Sequence, residues 1–184
     1  MSTPIAGAEA IEDTLDRMAQ ALVALLQRDP RQVAVIGVRT GGCWVAEALI
    51  PRLAGPLGAQ LAGPPGCLDP GFYRDDFDTV GVPPAVRPSH LPVAVDDRQV
   101  LLVDDVLYTG RTIRAALNGV FDYGRPALVR LAVLAIRPGQ ELPIVPDVAG
   151  GVYPVPAQGR LQLQGPESLS LHLLPPVAAE RPAP

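Results

Sequence analysis

Two adjacent carboxylates, Asp104 and Asp105, close the apolar run Val100–Val103, and Tyr108, Thr109, Gly110, Arg111 and Thr112 follow almost at once. Like charges side by side at the end of a run that reads as a buried strand are costly unless something nearby uses them. The next residues supply a use. Ile113, Ala116, Leu117, Val120 and Phe121 keep a helical period, so Thr109–Thr112 fall at a helix start, where backbone N–H groups lack partners and the helix dipole is positive. Such a turn suits an anion. Gly110 permits close backbone approach or a positive φ, and the hydroxyls of Thr109 and Thr112 suit a phosphate monoester. A ligand with a phosphate at one end and hydroxyl groups a sugar's width away satisfies loop and carboxylates together, which describes a ribose 5-phosphate.

A bare pair of acids is also what a solvated loop carries, and a magnesium pocket of the phosphoacceptor receiver type is a second chemical reading. Receivers as a family add a lysine, and this chain has none: all 15 basic side chains are arginine. The same absence excludes a Walker A phosphate loop and Schiff-base catalysis. A net charge of -4 gives no overall attraction to nucleic acid, so any such contact needs a local basic patch. His90 and His172 lie far apart in sequence with no third ligand beside them, which argues against a metal centre built from side chains. Cys43 and Cys67 have neither zinc spacing nor a CxxC arrangement, and are expected as free thiols in a reducing cytosol. The N-terminal stretch lacks a basic region followed by an apolar run, and no segment approaches the roughly 18 apolar residues of a membrane span. A cytoplasmic protein is the expectation.

With 48% hydrophobic and 18% charged residues, the 184-residue chain is expected to fold as one domain over residues 1–174, leaving a Pro-rich, disordered tail at 175–184. Ile11, Leu15, Met18, Leu22 and Leu26 recur at helical spacing up to Pro30, and Gln32–Val38 reads as a buried strand. A second helix is expected from about Gly42, kinked or stopped at Pro51. The Gly- and Pro-rich segment 54–92 is interrupted by one polar cluster, Phe72–Asp78, which a strand is expected to carry into a mobile loop. Val100–Val103 begins a strand, a helix follows and closes at Gly124 and Pro126, and Ala127–Ala135 is another strand. The alternating leucines 161, 163, 169, 171 and 173 mark late strands with one wet face. Strands alternating with helices imply an α/β fold with a mostly parallel sheet covered on both faces. Ligands of such sheets sit beyond the carboxyl ends of the strands, where the acidic pair lies.

The string VLLVDDVLYTGRTIRAAL resembles the phosphoribosyl-pyrophosphate (PRPP) signature of type I phosphoribosyltransferases, and its tyrosine makes it most similar to the PyrR family. Ile36–Gly42, Phe72–Asp76 and Glu141–Asp147 agree in order and spacing, so the likeness spans nearly the whole chain. The resemblance implies a type I phosphoribosyltransferase fold: a central sheet flanked by helices, with a flexible flap and a small hood. It implies uracil phosphoribosyltransferase activity, converting uracil and PRPP to UMP and pyrophosphate, and regulation of pyrimidine genes through operon mRNA. By position, Asp104 and Asp105 would hold the ribose hydroxyls, and Tyr108–Thr112 the ribose and 5-phosphate. Arg39, Thr40, Gly41 and Gly42 would form the pyrophosphate loop. Tyr73, Arg74, Asp75 and Asp76 would form the base of the flap, with Arg74 catalytic alongside the acidic pair, and Arg137 would belong to the base hood. Mg2+ would be carried mainly by PRPP near Asp104 and Asp105, with no side-chain cage. UMP and UTP would be further ligands, and a homodimer or larger assembly the expected state.

Two departures shape the functional expectation. Family members usually have Arg inside the pyrophosphate loop, where this chain has Gly41, and an acid before the hood arginine, where it has Ile136. Between Arg137 and Arg160 there is no basic residue, although the RNA-binding members carry several cations there. Arg17 and Arg39 are the remaining candidates for an RNA face. The leading expectation is the transferase; the alternative is a slow regulator that senses nucleotide or PRPP.

Overall fold

The computed structural model describes residues 2–71, 88–156 and 159–175. Five strands form the main sheet: β2 (Val33–Val38), β3 (Gly66–Leu68), β4 (Gln99–Leu107), β5 (Leu128–Ile136) and β6 (Val148–Val152). Their order is β3-β2-β4-β5-β6, and every pairing is parallel. Strand β1 (Thr3–Ala6) joins β7 (Arg160–Gln164) and β8 (Ser170–Leu174) in a separate antiparallel sheet of order β1-β8-β7.

Burial on both faces explains the near-continuous apolar runs of β2 and β4. One face carries α1 (Ala8–Leu26) and α2 (Gly41–Leu57), whose Leu15, Leu22, Leu49 and Leu53 pack with Val35, Leu101 and Val103. Leu161, Leu163 and Leu171 of the small sheet, and Leu169 just before β8, enter the same cluster, while Arg160, Gln162 and Gln164 stay exposed. The other face carries α3 (Arg111–Asp122), whose Ile113, Ala116 and Val120 meet Ile36, Leu102 and Val133.

Three expectations need amendment. Helix α2 runs through Pro51 and Pro56 to Leu57. Both prolines lie on its exposed side, and near the carbonyl that Pro51 cannot bond, Arg52 Nη1 donates to Ala48 O at 2.7 Å. Strands β1 and β6 escaped the sequence reading. Thr3–Ala6 is short and mostly exposed, and β6 carries Gly150 and Gly151, poor strand formers. The expected free thiols are instead a Cys43–Cys67 disulfide. The parallel register of β2 with β3 and the close seating of α2 on β2 bring their Cα atoms to 5.6 Å, within the range a disulfide spans. The flap residues Tyr73–Asp76, and the tail from residue 176, lie outside the described residues.

Candidate active site

Strand β4 delivers Asp104 and Asp105 near its carboxyl end, and Tyr108, Thr109 and Gly110 connect it to α3. Gly110 is the helix N-cap with φ of 92°, a left-handed conformation that favours glycine. A Cβ there would also press on Leu142 and Ile144 at 3.2 and 3.3 Å. The turn places the start of α3 beside a cavity of about 310 Å3, lined by Asp104 and by residues 106–113 without a break, with the Arg111 N–H donating to Thr109 Oγ1 at 3.3 Å. Carboxylate and helix start share one space. Asp104 is only 4% exposed, and one of its oxygens accepts the Asp105 N–H at 2.9 Å. Asp105 is half-buried.

The second loop lies on the other side of the acidic pair. Arg39 follows β2 and donates its N–H to Leu68 O at 2.9 Å; its guanidinium reaches Pro88 O at 3.5 Å. Gly41 and Gly42 open α2, fully packed. A Cβ on Gly42 would strike Val103 O and the Asp104 backbone, and a Cβ on Gly41 would lie on the Asp105 carboxylate. Only glycine lets the start of α2 come this close to β4. The partial positive charge of that helix end then stands beside Asp105, one physical reason two neighbouring acids are tolerated.

The stretch after β5 folds back under the phosphate-type turn. Arg137, 8% exposed, stacks its guanidinium 3.7 Å from the centre of the Tyr108 ring, whose edge rests on Gly139. Glu141 and Leu142 both donate N–H groups to Thr109 O, at 3.0 and 3.1 Å. Glu141 Oε2 accepts from Arg111 Nε and Nη2 at 3.0 and 2.8 Å.

The structure thus brings together Asp104, Asp105, Tyr108–Thr112, Gly41, Gly42 and Arg137. Thr40 stands at the N-cap position of α2, at the loop's edge, without a side-chain capping bond. Arg17 stays apart: on α1 it donates to Thr14 Oγ1 at 2.9 Å. Sequence reasoning missed Gly139 and the two cysteines as parts of this neighbourhood, and named Glu141 only as the start of the Glu141–Asp147 stretch, with no role at the Thr109–Thr112 turn.

Residues 4–155 match the phosphoribosyl transferase domain family. The Bifunctional protein PyrR of Nitrosococcus oceani is 48% identical over 149 residues, which cover 81% of this chain and 82% of that protein. The protein of the same description from Pseudomonas entomophila is 49% identical over 160 residues, covering 86% and 90%. Among solved structures, the hypoxanthine phosphoribosyltransferase of Trypanosoma cruzi superposes with a TM-score of 0.67 at 17% identity, over 95% of this chain and 97% of that one. A hypoxanthine-guanine phosphoribosyltransferase of Bacillus anthracis gives 0.64 at 16% identity, over 83% and 84%. At such identities the structures speak for the fold alone.

Proposed function

Because the chain belongs to the phosphoribosyl transferase domain family, and within it to the PyrR proteins, we propose that it transfers the phosphoribosyl group of PRPP to uracil in a setting of pyrimidine regulation. The observation that carries this reading is the single cavity in which Asp104 and the start of α3 face the same space. The amides of Gly110–Thr112 and the threonine hydroxyls take the 5-phosphate, and Asp104 and Asp105 take the ribose hydroxyls. With both ends of the sugar held, C1 lies toward the start of α2, where Thr40, Gly41 and Gly42 receive the diphosphate through backbone N–H groups.

The C1–O bond to pyrophosphate breaks, the C1–N1 bond to uracil forms, and the N1 proton leaves to solvent. As the C–O bond stretches, positive charge grows on the ribose, so fixed carboxylates nearby favour the transition state over the ground state. Hard carboxylate oxygens beside a diphosphate suit Mg2+, and among the described residues no group of three or more His, Cys, Asp or Glu forms a cage of its own. Such an ion, held near Asp104 and Asp105, would neutralise charge on the departing pyrophosphate. Arg137, stacked on Tyr108, would belong to the hood that receives the base.

The regulatory arm rests on nucleotide or PRPP occupancy more than on an RNA surface in the hood. That reading follows from the cation-free stretch 138–159, the burial of Arg137 and the local bonds of Arg17 and Arg39. We place the protein in the cytoplasm as a homodimer or larger assembly; among the described residues no helix is long and apolar enough to cross a membrane. Pure protein incubated with magnesium, PRPP and uracil is expected to form UMP, in preference to products from other bases. No nucleotide above background at any pH tested would overturn the transferase. Pyrimidine-operon leader RNA and an unrelated hairpin are expected to be retained equally and weakly; strong, salt-sensitive retention of the leader alone would restore the RNA arm.

A further inference from the structure

We infer that Glu141 is a positioning residue for the 5-phosphate turn, clamping it from the hood. The inference rests on the assignment of Thr109–Thr112 to the phosphate. Glu141 holds the turn on both sides of Gly110. Its main-chain N–H bonds Thr109 O at 3.0 Å, and its carboxylate takes Arg111 Nε and Nη2 at 3.0 and 2.8 Å. Between these two points sits the residue with φ of 92°, the conformation that aims the amides. Leu142 adds a second N–H to Thr109 O at 3.1 Å, and its Cβ packs against Gly110.

A turn held this way is preorganised. The donors for a phosphate must converge on one point, and a turn free to relax would lose that order and recover it only when ligand binds, weakening affinity. The Arg111–Glu141 pair cannot be there for stability alone, because the two side chains are 46% and 52% exposed and such pairs contribute little to folding. The carboxylate also bonds the Arg111 side chain, at the first helical position of a turn that lines the cavity. The clamp reaches the turn from the segment that also carries Arg137, so hood and phosphate turn are tied together.

The test compares wild type with Glu141→Gln, which keeps shape and the backbone bond while removing the charge, and with Glu141→Asp as the conservative variant. The expected result for Glu141→Gln is a KM for PRPP and a Kd for ribose 5-phosphate both raised about fivefold, with kcat and the uracil KM within about twofold. The melting temperature stays within about 2 °C, and Glu141→Asp recovers part of the affinity. Unchanged or tighter ribose 5-phosphate binding by Glu141→Gln would overturn the clamp while leaving the transferase reading intact; so would a fall in kcat or melting temperature with PRPP affinity unmoved. Failure of wild type to bind ribose 5-phosphate would remove the phosphate assignment and the clamp with it.

Discussion

The two loops that meet Asp104 and Asp105 from opposite sides are held by different means. The Thr109–Thr112 turn is gripped by side chains and by a neighbouring segment: a left-handed Gly110, two N–H groups on Thr109 O, the Arg111–Glu141 pair and Tyr108 packed between Arg137 and Gly139. Among the described residues the Arg39–Gly42 loop has few side-chain bonds: the Arg39 N–H donates to Leu68 O, its guanidinium reaches Pro88 O, Gly41 and Gly42 pack against β4, and the Cys43–Cys67 bond follows one residue further on. Under the proposed assignment the difference falls on the two ends of PRPP: the sugar-phosphate end would meet hydroxyls, amides and carboxylates, whereas the diphosphate end would meet mainly backbone. UMP, which lacks a diphosphate, is therefore expected to inhibit at lower concentration than inorganic pyrophosphate.

The largest effect should come from the residues both loops share. Asp104→Asn with Asp105→Asn is expected to lower kcat/KM by about a thousandfold, since it removes the charge that answers the developing cation. Asn keeps an acceptor for the Asp105 N–H, so the melting temperature should move by no more than about 3 °C. A fully active double variant would mean that neither loop works through the acids. Next comes the covalent brace. Cys43→Ser with Cys67→Ser opens a link of sequence separation 24, for which chain entropy gives about 3 kcal/mol of stability. Thermal melting should fall by roughly 6 to 12 °C, while UMP affinity, set on the other side of the acids, stays within about twofold. Loss of UMP affinity in step with stability would erase the contrast between braced and gripped loops.

Much of this contrast was legible in the residues. The acidic pair, the TGRT turn and the helix after it form a local signal, because strand end, positive φ and helix start are all encoded within about ten neighbouring residues. The buried faces of α1, β2 and α3 were legible for the same reason. What stayed hidden depends on pairing across the chain. Strand β1 is exposed along most of its length and exists only because β8 offers it a partner. The disulfide needs β2 and β3 in register before Cys43 and Cys67 can meet. The role of Glu141 needs the hood to fold beneath a turn 30 residues earlier. Pro51 does not stop α2, because its ring lies on the helix's exposed face.

The smallest of these effects tests whether the two loops are independent at all. A Cβ on Gly41 would lie on the Asp105 carboxylate and come within 2.8 Å of the Asp105 Cβ, which a rotamer change cannot relieve. Gly41→Ala must therefore shift either the start of α2 or the acid, and the acid is the freer of the two, being half-buried. The expected result is a fall of about tenfold in kcat/KM for PRPP, with inorganic phosphate bound at the Thr109–Thr112 turn as in wild type. Gly41→Arg carries the same Cβ, so returning a cation to this loop should do no better than alanine while Asp105 stays displaced. If Gly41→Arg instead lowered the KM for PRPP with kcat preserved, charge would outweigh packing at this end, and the loop would be an unfinished grip, not a backbone cradle.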